Sequence, residues 1–341
     1  MQFEHGIVIS GVGHYLPETV EDNATLCRNL DVDPDWIVEK TGIQARYIAG
    51  PEDSASGLAT AAARRALASA RLLADEIDLI IVCTYSGDYI FPPVSAKVQR
   101  DLATGDTQVF DIQANCAGFV TGLTAASDRM RVDPSVRNAL VIGVELNSRY
   151  VDRTDVNTAI YLSDGAGAAV LSRSTPDFGI LASAFHTDAS SFEAVRMRGG
   201  GSSHGLIGRS YDPSIDLMEM NGLATWKQAI THLPRVIRKA CEKSGVNPGD
   251  LDFLLFHQAN YNMIDYIVRK MRLDMNKTFT NVREIGNTGA ASVAIAMSEA
   301  VERGLIRHGD LVLTAAVGAG FNFGASVWRW HVDSSEAKDV R

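Results

Sequence analysis

Short apolar runs alternate along the chain with longer segments of mixed polarity. Most of these runs are apolar at nearly every position, which is typical of strands that are buried on both faces of a sheet. They predict strands at residues 6–12, 79–84, 109–112, 139–144 and 164–171. The segments between them begin with residues that cap helices well, and they predict helices at residues 22–29, 35–41, 54–74 and 95–102. This alternation predicts an α/β protein.

The second half of the chain repeats the plan of the first half. Three pairs of similar segments recur at offsets of 171 to 174 residues, beginning at Asp78 and Asp252, Asn115 and Asn287, and Leu140 and Leu311. A nearly constant offset predicts two duplicated halves, each with a buried sheet and helices on its faces. We place these halves at residues 1–175 and 176–341. Residues 186–215 are rich in glycine and serine, so they form either a linker or a loop that caps a pocket.

Composition and charge exclude several classes of protein. With 46% hydrophobic and 21% charged residues, the 341-residue chain has an ordinary globular composition, and its net charge of −9 argues against nucleic acid or anionic membrane as the main partner. Its four cysteines include no closely spaced pair, so we expect no disulfide framework, no metal site and a cytoplasmic location. The N-terminus predicts a first strand instead of a signal peptide, and no apolar run approaches the ~20 residues of a membrane span.

One cysteine, Cys116, lies where a predicted strand turns into a helix of small and apolar residues. The first N–H groups of a helix have no intrahelical partner, and the helix dipole favours negative charge there. A cysteine at such a position tends to be a thiolate, which is the nucleophilic form. The pattern therefore predicts a nucleophile, and a buried structural cysteine is the alternative.

Two polar residues of the second half lie at comparable positions. His257 follows the apolar run 251–256. Asn287 lies at a turn before a helix, which we call an elbow, and the repeat relates this elbow to the one that carries Cys116. Ligands of α/β proteins bind where buried strands open into loops, so these residues and Cys116 could face one pocket. Taken singly, His257 is more simply a surface or core histidine and Asn287 a helix N-cap. Their combination with Cys116 favours a catalytic site.

Together these segments resemble the β-ketoacyl-[acyl-carrier-protein] synthase III family of the thiolase superfamily, from about residue 7 to residue 330. The matching motifs are Asn115-Cys-Ala-Gly-Phe119, Ser163-Asp-Gly-Ala-Gly-Ala168, His257-Gln-Ala-Asn260, Gly286-Asn-Thr-Gly-Ala-Ala-Ser292 and Val317-Gly-Ala-Gly-Phe-Asn-Phe-Gly324, with Trp36-Ile-Val-Glu-Lys-Thr-Gly-Ile43 near the start. The resemblance implies a five-layered αβαβα thiolase-like fold built from two duplicated halves. It also implies a homodimeric acyltransferase that uses thioester substrates and needs no cofactor.

The resemblance also implies a role for each of the three polar residues. Cys116 would take an acyl group from a thioester. His257 and Asn287 would promote decarboxylation of a malonyl-type thioester and hold the resulting enolate, which attacks the acyl-cysteine to give a β-ketoacyl product. An enolate oxygen needs two neutral or cationic donors, which an imidazole and a carboxamide supply. The oxyanion on the acyl-cysteine would be held by the N–H groups of Cys116 and Ala319.

Two other functions stay open from the sequence. The first is acyl transfer without decarboxylation, to a hydroxyl, an amine or the α-carbon of a second acyl thioester. The second is a non-catalytic partner subunit in a heterodimer. The retained pair of His257 and Asn287 favours decarboxylative condensation over simple transfer, and the intact Cys116 argues against a non-catalytic subunit.

The expected substrate entrance departs from the family pattern at three positions. Val156 replaces an arginine that usually contacts coenzyme A, Leu223 replaces an asparagine that contacts pantetheine, and Asn262 replaces an arginine that helps to dock the carrier protein. Trp36 remains from the pair that stacks on the adenine. These departures favour substrates bound to an acyl carrier protein over free coenzyme A thioesters, and a specialised or secondary-metabolite pathway over bulk lipid synthesis.

Two aromatic residues are candidates for the walls of the pocket. Phe91 lies in the segment 89–93, where the family has a loop that reaches into the partner subunit's acyl pocket, so it would limit the depth of that pocket. Ordinary interface packing is the alternative for Phe91. Trp226 would line the entrance, and a core aromatic position is its alternative.

Overall fold

The computed structural model describes residues 5–332. Its strands are β1 (Gly6–Tyr15), β2 (Thr19–Asp22), β3 (Ala45–Ile48), β4 (Leu79–Cys83), β5 (Gln108–Ile112), β6 (Asn138–Leu146), β7 (Asp164–Ser174), β8 (Gly179–Thr187), β9 (Val195–Arg196), β10 (Glu219–Met220), β11 (Phe253–Phe256), β12 (Thr278–Phe279), β13 (Leu311–Gly318) and β14 (Asn322–Arg329). Its helices are α1 (Asn23–Leu26), α2 (Pro34–Thr41), α3 (Ala55–Ala70), α4 (Val94–Leu102), α5 (Gly118–Val132), α6 (Val156–Ala159), α7 (Pro213–Asp216), α8 (Gly222–Ser244), α9 (Tyr261–Lys270), α10 (Val282–Ile285) and α11 (Ser292–Glu302).

Two five-stranded sheets share one topology. The first has the order β1-β7-β6-β4-β5 and the second the order β8-β14-β13-β11-β12. In both sheets the last three strands of this order run parallel, and the first two pair antiparallel. This correspondence agrees with the repeat of 171 to 174 residues in the sequence. We propose a boundary between the halves near residue 175, because β7 ends at Ser174 and β8 begins at Gly179.

Helices and sheets alternate in five layers, as predicted. Helices α5 and α11 lie between the two sheets, α3 and α4 cover the outer face of the first sheet, and α8 and α9 cover that of the second. Strand β4 shows how the sequence specifies this arrangement. Leu79 and Ile81 pack into the central layer, whereas Ile80 and Val82 pack against the outer helices. A strand buried on both faces must be apolar at every position, which explains its continuous apolar run.

The predicted long helix at residues 54–74 ends earlier than expected. Helix α3 stops at Ala70, because Arg71 adopts a left-handed conformation with φ of 56° and its N–H donates to the carbonyls of Leu67 and Ala68. Such a residue ends a helix, since it turns the chain away from the helix axis. The alanine-rich composition gave no signal for this stop. Within residues 5–332, no helix is long and apolar enough to span a membrane.

Each half of the protein inserts an elbow against the other half. The turn at 115–117, which follows β5, packs against β13, and the turn at 289–291 packs against β6. Glycines permit this close approach. A Cβ on Gly143 of β6 would lie 2.4 Å from the carbonyl oxygen of Ala290, and a Cβ on Gly318 of β13 would lie 3.0 Å from the backbone nitrogen of Cys116. The two elbows therefore meet at the contact between the halves.

The segment between β8 and α8 forms a small lobe that packs against α6 and α8. It contains helical turns at 189–194 and 202–204, helix α7, and the two-stranded ribbon of β9 and β10. Part of the predicted capping loop at 186–215 belongs to this lobe. Its residues Phe192, Val195 and Met197 line the cavity described below.

We expect the substitution Gly143→Ala to destabilise the protein by about 1–3 kcal/mol, because the new methyl group collides with backbone that cannot turn aside. Chemical denaturation followed by circular dichroism would measure this change. Gly249→Ala is the matched control. Nothing lies within 4 Å of a Cβ at Gly249, so a change within about 0.5 kcal/mol is expected there. Equal stability of the two variants would show that the elbow does not contact β6 this closely.

Candidate active site

A cavity of about 440 Å³ lies where the two elbows meet. Its wall includes five of the residues predicted from the sequence, namely Cys116, His257, Asn287, Ala319 and Trp226. The first elbow contributes the cysteine, the end of β11 contributes the histidine, and the second elbow contributes the asparagine. The structure thus brings together three polar side chains that are far apart in the sequence.

A strained backbone holds the first elbow in place. Asn115 has a left-handed φ of 50°, which asparagine tolerates better than most residues with a side chain. Its Nδ2 atom donates a hydrogen bond of 3.0 Å to the carbonyl oxygen of Ala319. This bond fixes the loop at 318–320 beside the elbow, and with it the two backbone positions expected to form an oxyanion hole, Cys116 and Ala319.

The ionisation of Cys116 differs from the prediction. Burial and the nearby carboxyl group of Glu145 raise the pKa of the Cys116 thiol to about 12, so the resting cysteine is a protonated thiol and the expectation of a thiolate was wrong. The helix start does favour negative charge. However, the elbow begins with a single turn at 115–117. The loss of water around the buried thiolate destabilises it more than the start of the helix stabilises it.

Glu145 is a fully buried carboxyl group behind the two elbows. Its side chain accepts hydrogen bonds from the hydroxyls of Ser86 at 2.5 Å and Thr84 at 3.2 Å. A Cβ on Gly289, at the second elbow, would lie 2.8 Å from the Cγ atom of Glu145. Burial raises the pKa of Glu145 to about 8. Burial therefore favours the protonated form of this carboxyl group.

The histidine presents one defined nitrogen to the cavity. The Nδ1 atom of His257 lies 2.6 Å from the hydroxyl oxygen of Ser292, and that oxygen also accepts the N–H of Gln258 at 3.3 Å. In the part of the chain that the structure describes, the Ser292 hydroxyl has no other acceptor, so its proton is donated to Nδ1. This network assigns the proton of the neutral ring to Nε2. Burial lowers the pKa of His257 to about 4, so the ring is neutral at physiological pH.

The carboxamide of Asn287 is oriented in a similar way. Its Oδ1 atom accepts a hydrogen bond of 2.9 Å from the N–H of Gly289. Because a backbone N–H can only donate, the oxygen of the amide is identified and the Nδ2 group is left as the donor. The backbone of Asn287 is held by the N–H of Ser163 and the carbonyl of Tyr161, at 2.9 Å each. The site therefore offers two fixed neutral donors, Nε2–H of His257 and Nδ2–H of Asn287.

The other predicted binding residues are placed outside the wall of this cavity. Phe91 is 83% exposed on the loop before α4, and Leu223 is 66% exposed beside a separate shallow depression. Val156 packs in a small apolar cluster near Leu26 and Ile160, and Trp36 is at the surface of α2. Of the five binding residues predicted from the sequence, Trp226 is the one that lines the cavity of the single chain.

Eight further polar residues line the cavity and were not predicted as site residues from the sequence. They are Tyr85, Gln113, Asn115, Asn147, Tyr161, Arg196, Thr225 and Asn260. Tyr85, Gln113 and Asn147 lie within two residues of the ends of the parallel strands β4, β5 and β6, and polar residues at such strand ends are the signal that could have identified them. Ser292, which orients His257, was quoted only as part of a motif. Within residues 5–332 no cluster of His, Cys, Asp and Glu could hold a metal ion.

Comparison with known proteins gives consistent matches. A family model described as 3-oxoacyl-[acyl-carrier-protein] synthase III matches residues 110–189, and the model of its C-terminal part matches residues 241–330. The β-ketoacyl-[acyl-carrier-protein] synthase III of Rhodospirillum centenum is 40% identical over 327 residues, which cover 95% of this chain and 98% of that protein. The synthase III of Bordetella petrii is 41% identical, with 94% and 97% covered.

Solved structures of similar proteins have the same fold. The 3-oxoacyl-[acyl-carrier-protein] synthase III of Aquifex aeolicus has a TM-score of 0.88 and 35% identity, and the match covers 95% of this chain and 100% of that one. The priming β-ketosynthase of the R1128 polyketide pathway has a TM-score of 0.89 and 29% identity, with 97% and 98% covered. These matches confirm the thiolase-like fold. The chain belongs to the β-ketoacyl-[acyl-carrier-protein] synthase III family and is an acyl-transferring condensing enzyme.

Proposed function

We propose that this enzyme loads an acyl group onto Cys116 and condenses it, with loss of carbon dioxide, with a malonyl-type thioester. The observation that carries this proposal is the convergence of Cys116 with two oriented neutral donors, Nε2–H of His257 and Nδ2–H of Asn287, on one cavity. Transfer of an acyl group alone needs a nucleophile and an oxyanion hole. It has no use for a second pair of donors.

The first half-reaction is a thioester exchange. The sulfur of Cys116 forms a bond to the acyl carbon, the bond between that carbon and the donor sulfur breaks, and the cysteine proton ends on the departing thiol. The negative oxygen of the intermediate is held by the N–H groups of Cys116 and Ala319. The bond from Asn115 to the Ala319 carbonyl, 3.0 Å long, supports this role because it fixes the loop against the elbow.

The second half-reaction makes the new carbon–carbon bond. The bond from the malonyl α-carbon to its carboxylate breaks, carbon dioxide leaves, and the electron pair forms an enolate whose oxygen is held by His257 and Asn287. The enolate carbon then attacks the acyl carbon, the bond between that carbon and the Cys116 sulfur breaks, and the departing thiolate takes a proton from water. Within residues 5–332, the one arginine or lysine of the wall is Arg196, which is paired with Glu193 and Glu219. Such a wall favours this step, because it stabilises departing neutral carbon dioxide better than the charged carboxylate.

We also propose a homodimer that acts on substrates bound to an acyl carrier protein. Strand β5 is an edge strand of the first sheet, and Tyr89, Ile90 and Phe91 are exposed on the loop before α4. An unpaired edge beside exposed apolar side chains supports pairing with a second copy. Phe91 would then contact the partner subunit's acyl site, as the sequence suggests. The proposed reaction needs only the two thioesters and no cofactor, and the four free cysteines support a reducing, cytoplasmic setting.

The proposal of a specialised pathway rests on the entrance residues. Asn262, at the position of a docking arginine, instead donates to the carbonyls of Glu39 and Lys40 at 2.8 and 3.0 Å and caps α2. Val156 and Leu223 offer no charge or amide to a nucleotide or to pantetheine. These three changes leave the reaction centre intact and alter its surroundings. This pattern supports an unusual carrier or substrate more than the common initiation of fatty-acid synthesis.

We expect Cys116→Ala to abolish acyl loading, because the substitution removes the sulfur that forms the thioester. Intact-protein mass spectrometry after incubation with acetyl, butanoyl and longer acyl thioesters would measure the mass gain. Cys27→Ala is the control, since Cys27 lies outside the cavity, and it should load normally. A Cys116→Ala protein that still gains the acyl mass would refute the nucleophile assignment.

We expect His257→Ala and Asn287→Ala to retain loading of Cys116 but to release carbon dioxide from a malonyl thioester at least about 100-fold more slowly. Each change removes one donor to the enolate. Headspace detection of carbon dioxide with a loaded enzyme would measure the rate. His308→Ala and Asn276→Ala, which change the same residue types outside the cavity wall, are the controls. Normal decarboxylation by both site variants would rule out the proposed reaction.

A further inference from the structure

Polar side chains gather at one end of the cavity, where the parallel strands of the first sheet terminate. Tyr85 follows β4 closely, Gln113 follows β5 and Asn147 follows β6, and these strands are neighbours in the order β6-β4-β5. Asn115 adds a further carboxamide beside Cys116. An alkyl chain placed against these groups would displace water from them without offering a hydrogen bond in return, so this end of the cavity suits a ligand that carries a polar atom.

The fold fixes part of this polar set. The hydroxyl of Tyr85 donates to Oδ1 of Asn147, and Nδ2 of Asn147 donates to the carbonyl of Ser163 at 2.6 Å. The backbone N–H of Tyr85 is held by the carboxyl group of Glu145 at 3.3 Å. With its proton engaged, the phenolic oxygen of Tyr85 is left as an acceptor. The tyrosine and Asn147 therefore present a defined hydrogen-bonding surface to the cavity.

Gln113 supplies the unoccupied part of the set. Its side chain lines the cavity and is exposed to solvent, and no residue in the range 5–332 forms a hydrogen bond with its carboxamide. A primary amide has two N–H donors and one carbonyl acceptor. Gln113 can thus satisfy either the hydrogen or the oxygen of a ligand hydroxyl, or donate to a ligand carbonyl.

The other walls have the opposite character. The segment 188–220, helices α8 and α9, and the loop after β13 contribute mainly apolar side chains, namely Phe192, Met197, Met218, Met220, Trp226, Met263 and Phe321. Among the described residues of the wall, Arg196 is the one arginine or lysine, and it is paired with Glu193 and Glu219. No free cation is available for a carboxylate, so the polar end suits a neutral group.

From this arrangement we propose that the acyl group carried by Cys116 bears a neutral hydroxyl group on its second or third carbon, bound by Gln113 and Tyr85. The inference rests on the proposed function, since it names the substrate class of the same cysteine. The loading chemistry is the thioester exchange already described. The oxygen substituent takes no part in bond making, and it selects the substrate by replacing hydrogen bonds to water.

The test compares thioesters that differ by one oxygen. Pantetheine thioesters of 3-hydroxybutanoate and butanoate, and of lactate and propanoate, are incubated with the enzyme, and the loading rate of Cys116 is followed by intact-protein mass spectrometry. We expect the oxygenated member of at least one pair to load roughly tenfold faster, the factor that one or two neutral hydrogen bonds supply. Equal rates within both pairs, or faster loading of both unsubstituted acyl groups, would overturn the inference.

Two variants locate the selecting groups. Gln113→Leu or Tyr85→Phe should reduce the preference, measured within each variant as the ratio of the two loading rates, to less than about threefold. Gln108→Leu, on the far end of the same strand β5, is the matched control and should keep the preference. A preference unchanged in both Gln113→Leu and Tyr85→Phe would contradict the assignment. If none of the four thioesters loads Cys116, the proposed function fails and this inference fails with it.

Discussion

The structure depends on a pair of close backbone contacts, in which the elbow of each half of the protein packs against a strand of the other half. The turn at 115–117 packs against β13, and the turn at 289–291 packs against β6. Gly318 and Gly143 allow this approach, since a side chain at either position would collide with backbone. Because Cys116 and Asn287 lie on these elbows, the packing of the two halves is the same interaction that assembles the reaction centre.

Much of the fold could be predicted from the sequence, because its signals are local. Strands such as β4 are buried on both faces, and a continuous apolar run reports this directly. The repeat in the sequence is sufficient to relate the elbow of Cys116 to that of Asn287. The end of α3 could not be foreseen, since the left-handed turn at Arg71 depends on the tertiary course of the chain.

The properties that were wrong or missing in the sequence analysis depend on burial and on distant partners. The high pKa of Cys116 comes from enclosure beside Glu145, a residue 29 positions further along the chain. The orientation of His257 depends on Ser292, which belongs to another element. The pair of Tyr85 and Asn147 forms because β4 and β6 are neighbours in the sheet. Local patterns in the sequence do not contain these relations.

These features describe a reaction centre whose groups are uncharged at rest. The pKa of His257 is lowered to about 4 and that of Cys116 is raised to about 12, so an imidazole faces a thiol over the physiological range. A neutral site with oriented donors stabilises negative charge only when it develops, on the oxyanion and on the enolate. The packing of the elbows positions the donors. The enclosed cavity excludes bulk water, so that their hydrogen bonds to the oxyanion and the enolate are stronger than in solution.

The most direct test of this account is the rate at which iodoacetamide alkylates Cys116 between pH 6 and pH 9.5, followed by intact-protein mass spectrometry with Cys116→Ala as the blank. Only the thiolate reacts. A pKa of about 12 predicts that the rate rises about tenfold per pH unit across this range without a plateau. A rate that is already constant at pH 7 would show a resting ion pair of thiolate and imidazolium, and it would contradict the neutral reaction centre.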